Sequence, residues 1–346
     1  MADGDFTTDD HMTDFEALMW NLEKDPRLSG NVANLSILDR PVDLPRFRAT
    51  MERATLVFPR LRQRVAPVFG HLAPPRWEVD PHFDIDHHLR RISLGGRGTR
   101  RELHELASTL AGTPFDRTRP LWEFVVIDGL RNGRAAMLQR LHHTITDGEG
   151  GLNLSMEFVD FHRRPRRERS EPPEAPPAGG DRGLVGSVND AVAHATRRQV
   201  GAARRTLGDA AGTVVHPERL LSGGSRAVGV AASALRQVNV GDRPLSPLWT
   251  ERSLSRHFDT FDVPLARAKT AATARGGTLN DFLVCGAAEG AAAYHARNGA
   301  EVTNLRMAMP VSSRQDRSVG GNVFSPSQTT VPVGPMSPAE RFAEIH

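Results

Sequence analysis

At 346 residues the chain is long enough for two domains, each with its own core. Hydrophobic residues make up 39% and charged residues 25%, an ordinary globular mixture. The formal charge is only +3, and Lys24 and Lys269 are the only lysines, so arginine carries nearly all the positive charge. No RNP, zinc-finger or helix-turn-helix signature accompanies those arginines, and nucleic acid is not an expected partner.

The single cysteine, Cys285, rules out an internal disulfide and suits a reducing, cytoplasmic setting. It lies in the apolar run "LNDFLVCGAAEGAAAY" and reads as a small buried hydrophobe. The N-terminus "MADGDFTTDDHMTDF" is acidic and polar, unlike a secretory leader, and no apolar run is long enough to span a bilayer.

From 14 to 162 strand and helix signals alternate. "ANLSILDR" reads as a strand and "DLPRFRATMERATLVFPRLRQRV" as a helix interrupted by Pro59. "FDIDHHLRRISL" alternates like another strand, with His87 and His88 inside it. "RELHELASTLAG" sets Leu103, Leu106 and Leu110 on one helical face, with Gly112 as the stop. "LWEFVVIDGL" and "RAAMLQRLHH" then flank Asn132-Gly133, a strong hairpin signal. The second strand delivers His142 and His143 at its end, and "GEGGLNLSMEFVDF" follows with Leu154 and Phe158 at helical spacing.

Residues 163 to 185 are rich in Pro, Arg and Glu and read as a linker. Residues 186 to 235 are Ala- and Arg-rich: a helical bridge, an ordinary surface helix, or a basic helix lying on anionic lipid. Beyond 250, "RSLSRHFDT" reads as a strand and 264 to 275 as a helix. A small-residue helix follows "GGTLND" to about 297, closed by Asn298-Gly299, and "NLRMAMPVSSR" is a strand. Ser337, Pro338 and Glu340 form a helix start, with Phe342 and Ile345 opening an apolar face before the chain stops at His346. That pattern points to a second domain lacking its last part.

The junction "LQRLHHTITDGEGGL" carries the chemistry. A histidine at a strand end suits a positioned general base, because its pKa near neutrality lets it take a proton from a hydroxyl or thiol. Asp147 would anchor the turn by pairing with an arginine elsewhere, and Gly148 lets the backbone pass close to a substrate. Two rivals stay open at this point. The pair could bind a metal, although adjacent side chains at a strand end face opposite ways. It could also be a pair of satisfied core histidines. No G-x-S-x-G, H-E-x-x-H or Walker A motif is present. A base at His143 would therefore have to activate a nucleophile that the substrate brings.

"HHTITDG" matches HHxxxDG, and more of the chain resembles one branch that carries it, the bacterial wax ester synthase/diacylglycerol acyltransferase family. "TRPLWEFVVIDGL" resembles its PLW segment, "GGTLNDFLVCGAAEGAA" its Asn-Asp segment, and "MPVSSRQDRSVGGNVFSP" its Pro-Val-Ser strand and Gly-Asn turn. "TDFEALMWNLEKDPRLSGNVANLSIL" resembles its N-terminus. A second PLW, at 247 to 249, does not lead into the hairpin.

The resemblance implies an α/β fold of two chloramphenicol-acetyltransferase-like domains with a tunnel between them. It divides the chain into an N-terminal acyltransferase domain (1–162), a flexible linker and helical crossover (163–235) and a partial C-terminal domain (236–346). His143 becomes the base that deprotonates a long-chain alcohol or diacylglycerol hydroxyl for attack on an acyl-CoA thioester. His142 and Asp147 become structural and orienting. Gly148, Pro120, Leu121, Trp122, Asn280 and Asp281 become substrate-side residues. No metal or organic cofactor is implied, acyl-CoA being a substrate, and a membrane or lipid-inclusion surface is the implied location. The family's later Asn-Val-Pro-Gly-Pro segment is not found, which agrees with the incomplete second domain. The alternatives are acyl transfer from a carrier protein and an inactive acyl-CoA- or lipid-binding chain.

Overall fold

The computed structural model describes residues 11–66, 73–145, 154–155, 157–158, 174, 244–251, 253–312 and 324–346. They fall into two compact units. The first holds the described residues up to 174 together with Ser253–Asp259, and the second holds 244–251, 260–312 and 324–346.

The first unit begins with α1 (Asp14–Leu22), started by a capping box between Thr13 and Glu16. It continues through β1 (Asn31–Leu38), α2 (Leu44–Val57), β2 (Gln63–Ala66), β3 (Arg76–Val79), α3 (Ile85–His88), β4 (Leu89–Ser93) and α4 (Arg100–Gly112). β5 (Trp122–Asp128) and β6 (Ala135–His142) complete it. A four-stranded sheet has the order β1-β6-β5-β4. β4 and β5 run parallel with α4 as their crossover, and the other neighbours are antiparallel. The β5–β6 turn places Asn132 and Gly133 at φ 62° and 65°, the left-handed pair that the Asn-Gly signal implies.

β5 is covered on both faces, which is why its sequence is apolar almost throughout. On one face Trp122, Phe124 and Leu141 pack with Phe47 and Met51 of α2. On the other, Val125, Ile127 and Leu138 pack with Leu103 and Ala107 of α4. Full burial of each Phe, Leu, Ile, Met or Val among them contributes about 1.5–3 kcal/mol. The polar exception is Glu123, which takes ion pairs from Arg140 on β6 and from Arg90 at 2.6 Å. Arg140 also donates to the Thr113 carbonyl beyond α4, so this buried charge is paired rather than stranded.

Two expected strands differ. "FDIDHHLRRISL" splits into α3 and β4, because Asp84 caps a short helical turn by accepting the Asp86 N–H. In "RSLSRHFDT" the described residues, 253–260, form no strand. Its Phe258 and Asp259 instead meet His104 of α4, Asp259 at 3.3 Å, so this stretch packs with the first unit.

The second unit contains α5 (Leu265–Thr273), α6 (Leu279–Arg297), β7 (Asn304–Ser312), β8 (Phe324–Pro332) and α7 (Pro338–Ile345). β7 and β8 form an antiparallel pair. The capping box at Ser337 and Glu340 starts α7. Phe342 then packs on Cys285 and Ala272, and Gly277 is required there: a Cβ would meet the Phe342 ring at 2.6 Å. Arg341 is buried and satisfied by Glu289 and by the carbonyls of Pro332 and Gly334. Among the described residues no helix is long and apolar enough to cross a membrane. The segment 163–235, apart from Glu174, lies outside the described residues, and so does its basic helical stretch.

Candidate active site

β6 ends at His142, paired with Asn31 across the sheet edge. The His142 amide donates to the Leu121 carbonyl and the His143 amide to the Gly30 carbonyl, both at 2.9 Å. Ile145 N–H closes a turn on the His142 carbonyl at 2.9 Å. Two main-chain bonds to neighbouring segments thus fix the pair where the strand stops.

The two rings fare differently. His142 is 1% exposed, beside Arg140 on the α4 face of the sheet. Its Nδ1 accepts the Thr144 N–H at 3.2 Å and lies 2.7 Å from Thr144 Oγ1. A backbone N–H can only donate, so Nδ1 offers its lone pair and the ring proton sits on Nε2. That proton is directed at Glu23 Oε2, 3.0 Å away. His143 is only half-buried. Of the two, it is the less buried.

Glu23, just beyond the end of α1, has no counterpart in the sequence reading. Its Oε1 accepts the Gly30 N–H at 3.1 Å and the Ser29 hydroxyl at 3.2 Å. Its Oε2 takes Arg117 at 3.1 Å as well as His142. Arg117 lies over the Trp20 ring, 3.7 Å from the centroid, and also donates to the Trp20 carbonyl. Burial works against ionising Glu23. The hydrogen bond from His142, the Gly30 amide and Arg117 outweigh it and hold the carboxyl down at about 2.

Pro120, Leu121 and Trp122 lie behind the histidines, all three buried. Trp122 donates Nε1–H to the Leu61 carbonyl at 2.7 Å and stacks on His88 with ring centroids 4.3 Å apart. The PLW segment therefore supports the site through the core. Asp147 and Gly148 lie outside the described residues. Asn280 and Asp281 open α6 in the second unit. Asp281 closes the capping box with Thr278, whose backbone and hydroxyl bonds lower its pKa, and Asn280 is exposed. Among the described residues no group of three or more His, Cys, Asp or Glu is arranged to hold a metal ion. Both ring nitrogens of His142 are hydrogen-bonded, to Thr144 and to Glu23.

Chemistry of this kind has close counterparts. The profile of the wax ester synthase/diacylglycerol acyltransferase catalytic domain matches residues 12–283. Rv2484c of Mycobacterium tuberculosis, named as a diacylglycerol O-acyltransferase, is 34% identical over 341 residues, covering 97% of this chain and 68% of its own length. The protein tgs3 of the same organism, named likewise, is 34% identical over 245 residues, covering 69% of this chain and 87% of its own. Among solved structures, a Marinobacter aquaeolei wax ester synthase/diacylglycerol acyltransferase matches with a TM-score of 0.57 at 19% identity, over 97% of this chain and 70% of that one. The first condensation domain of the calcium-dependent antibiotic synthetase matches with a TM-score of 0.59 at 19% identity, over 96% and 72%. At that identity the two structures speak for the fold, while the profile and the relatives speak for descent. The chain belongs to the wax ester synthase/diacylglycerol acyltransferase family.

Proposed function

We propose that the chain moves a fatty acyl group from acyl-CoA to the hydroxyl of a long-chain alcohol or a diacylglycerol, with His143 as general base. The observation that carries this reading is the division of labour in the pair: within a family catalytic domain, one histidine is fully buried and bonded on both nitrogens while its neighbour is only half-buried. A neutral imidazole of His143 takes the hydroxyl proton as the oxygen attacks the thioester carbon. The tetrahedral intermediate collapses, the C–S bond breaks, and the imidazolium returns the proton to the departing CoA sulfur. Ester and free CoA are the products, and the base is regenerated. The thioester arrives already activated, so this sequence calls for no metal or organic cofactor.

In this reading Asp147 anchors the turn after the pair and Gly148 leaves room for the acyl donor. Asn280 and Asp281 serve the site from a second chloramphenicol-acetyltransferase-like domain, across a tunnel. The protein works in the cytoplasm at a membrane or lipid-inclusion surface, where both substrates concentrate. The domain limits that go with it are 1–162, 163–235 and 236–346.

The test is product identification by mass spectrometry. Palmitoyl-CoA would be supplied with hexadecanol in one reaction and with a dipalmitoylglycerol in the other. Palmityl palmitate or tripalmitin above the no-protein control supports the reading. Bound palmitoyl-CoA with no ester in either reaction would overturn it and leave an acyl-CoA-binding protein.

A further inference from the structure

We propose that Glu23 is the positioning residue of this site, holding both histidines of the pair from a point remote in sequence. The argument needs only the bonds around one carboxylate. Oε2 receives His142 Nε2 at 3.0 Å, and Oε1 receives the Gly30 N–H at 3.1 Å. The carbonyl of the same Gly30 receives the His143 N–H at 2.9 Å. One acid therefore fixes the ring of His142 directly and the main chain of His143 through a single glycine. Gly30 suits the place because a Cβ there would lie 3.0 Å from His142 Nε2.

The tautomer matters as much as the position. The Thr144 amide at Nδ1 and the Glu23 carboxylate at Nε2 together favour the proton on Nε2; without Glu23 the Thr144 hydroxyl, 2.7 Å from Nδ1, is left as an acceptor for a proton there. Remove the acceptor, and a buried N–H loses its partner beside the reacting base. The turn Ile145 N–H to His142 carbonyl would then relax, and with it the direction of His143. Arg117 holds Glu23 ionised and in place, and is itself fixed on Trp20. The carboxylate touches no reacting atom in this account, so it acts on the turnover step through the histidines.

The kinetic part of this inference rests on the acyl-transfer reading; the spectroscopic part does not. The experiment compares wild type, Glu23→Ala, Glu23→Gln and His142→Ala, each checked for a native far-UV CD spectrum and melting transition. On the nitrogen spectrum of 15N-histidine-labelled protein, wild-type His142 should show a protonated Nε2 and an unprotonated Nδ1, and Glu23→Ala a mixture of tautomers. In CoA release, Glu23→Ala should lose kcat about 100-fold, the scale of a small misplacement of a catalytic group, with KM for acyl-CoA little changed. Glu23→Gln keeps an acceptor oxygen and should recover at least about tenfold of that loss. Glu23→Ala should cost less in the His142→Ala background than in wild type, since only the route through Gly30 is then left to lose. An unchanged tautomer together with wild-type kcat in a folded Glu23→Ala protein would overturn the proposal. Absence of any wild-type turnover would overturn the acyl-transfer reading and leave the tautomer measurement to decide this one.

Discussion

The first unit holds two adjacent histidine pairs, His87–His88 and His142–His143, and each buries one ring and leaves its neighbour more open. They flank the same short segment: His88 Nδ1 bonds the Trp122 carbonyl at 2.8 Å, and the His142 amide bonds that of Leu121. What surrounds the buried ring separates them. His88 lies between Phe83 and Trp122 with a neutral carbonyl as its partner, and burial pushes its pKa down to about 4. His142 faces an ionised carboxylate and a threonine instead. A histidine pair is therefore no signal by itself. The first pair puts His88 in the core and leaves His87 exposed, and the second is held at a strand end with the His142 ring bonded to a carboxylate.

That contrast can be broken or sharpened. The largest effect is expected at the shared segment: Trp122→Ala removes a fully buried indole, its stack on His88 and its bond to Leu61, and should cost about 3–5 kcal/mol in urea unfolding. Loss under 1 kcal/mol would mean that the segment does not organise the core.

Next comes acid sensitivity. Above pH 6.5 both the folded and the unfolded chain hold His88 neutral, so its contribution is complete. As pH falls toward about 4 the unfolded chain binds a proton that the buried ring refuses, and stability declines. Glu23 adds a separate limb with the opposite chemistry: its contribution is complete above the ordinary carboxylate pKa of 4.5 and is lost as pH falls through about 2. Melting temperature followed from pH 7 to 3 should therefore start to drop before carboxylates protonate. His88→Phe, which keeps the aromatic stack and titrates nothing, should delay that first drop; an identical curve would remove His88 from the account.

A smaller effect is expected for Gly30→Ala, whose Cβ crowds His142 Nε2 at 3.0 Å: about 1–3 kcal/mol of stability by thermal or urea unfolding. The smallest is at the exposed His87, where His87→Ala should stay within about 0.5 kcal/mol.

Much of the first unit was legible in residue patterns. The continuous apolar run of β5, the Asn-Gly turn and the Leu103, Leu106 and Leu110 stripe each state a local requirement that the fold then meets. The capping signature at Ser337 and Glu340 recurs at Thr13 and Glu16, Thr99 and Glu102, and Thr278 and Asp281, where it marks three more helix starts. It also gives Asp281 a local helix-capping role that its place in a family segment did not reveal. What stayed hidden is long-range. Glu23 is 119 residues from His142, and nothing in "NLEKDPRLSG" says which group its carboxylate will meet. Arg140, Glu123 and Arg90 likewise read as strand charges until register pairs them across β4, β5 and β6. "RSLSRHFDT" misled because alternation alone cannot tell a strand from a segment laid along α4.

The most direct test of the central claim, that His143 reacts while His142 holds, is acceptor-dependent release of free CoA from palmitoyl-CoA. It would be measured for wild type beside His143→Ala, after both show the same CD spectrum and melting transition. The account predicts release that rises with hexadecanol or diacylglycerol in wild type and falls about 100- to 10,000-fold in the variant. Equal acceptor-dependent release from a folded His143→Ala protein would contradict it.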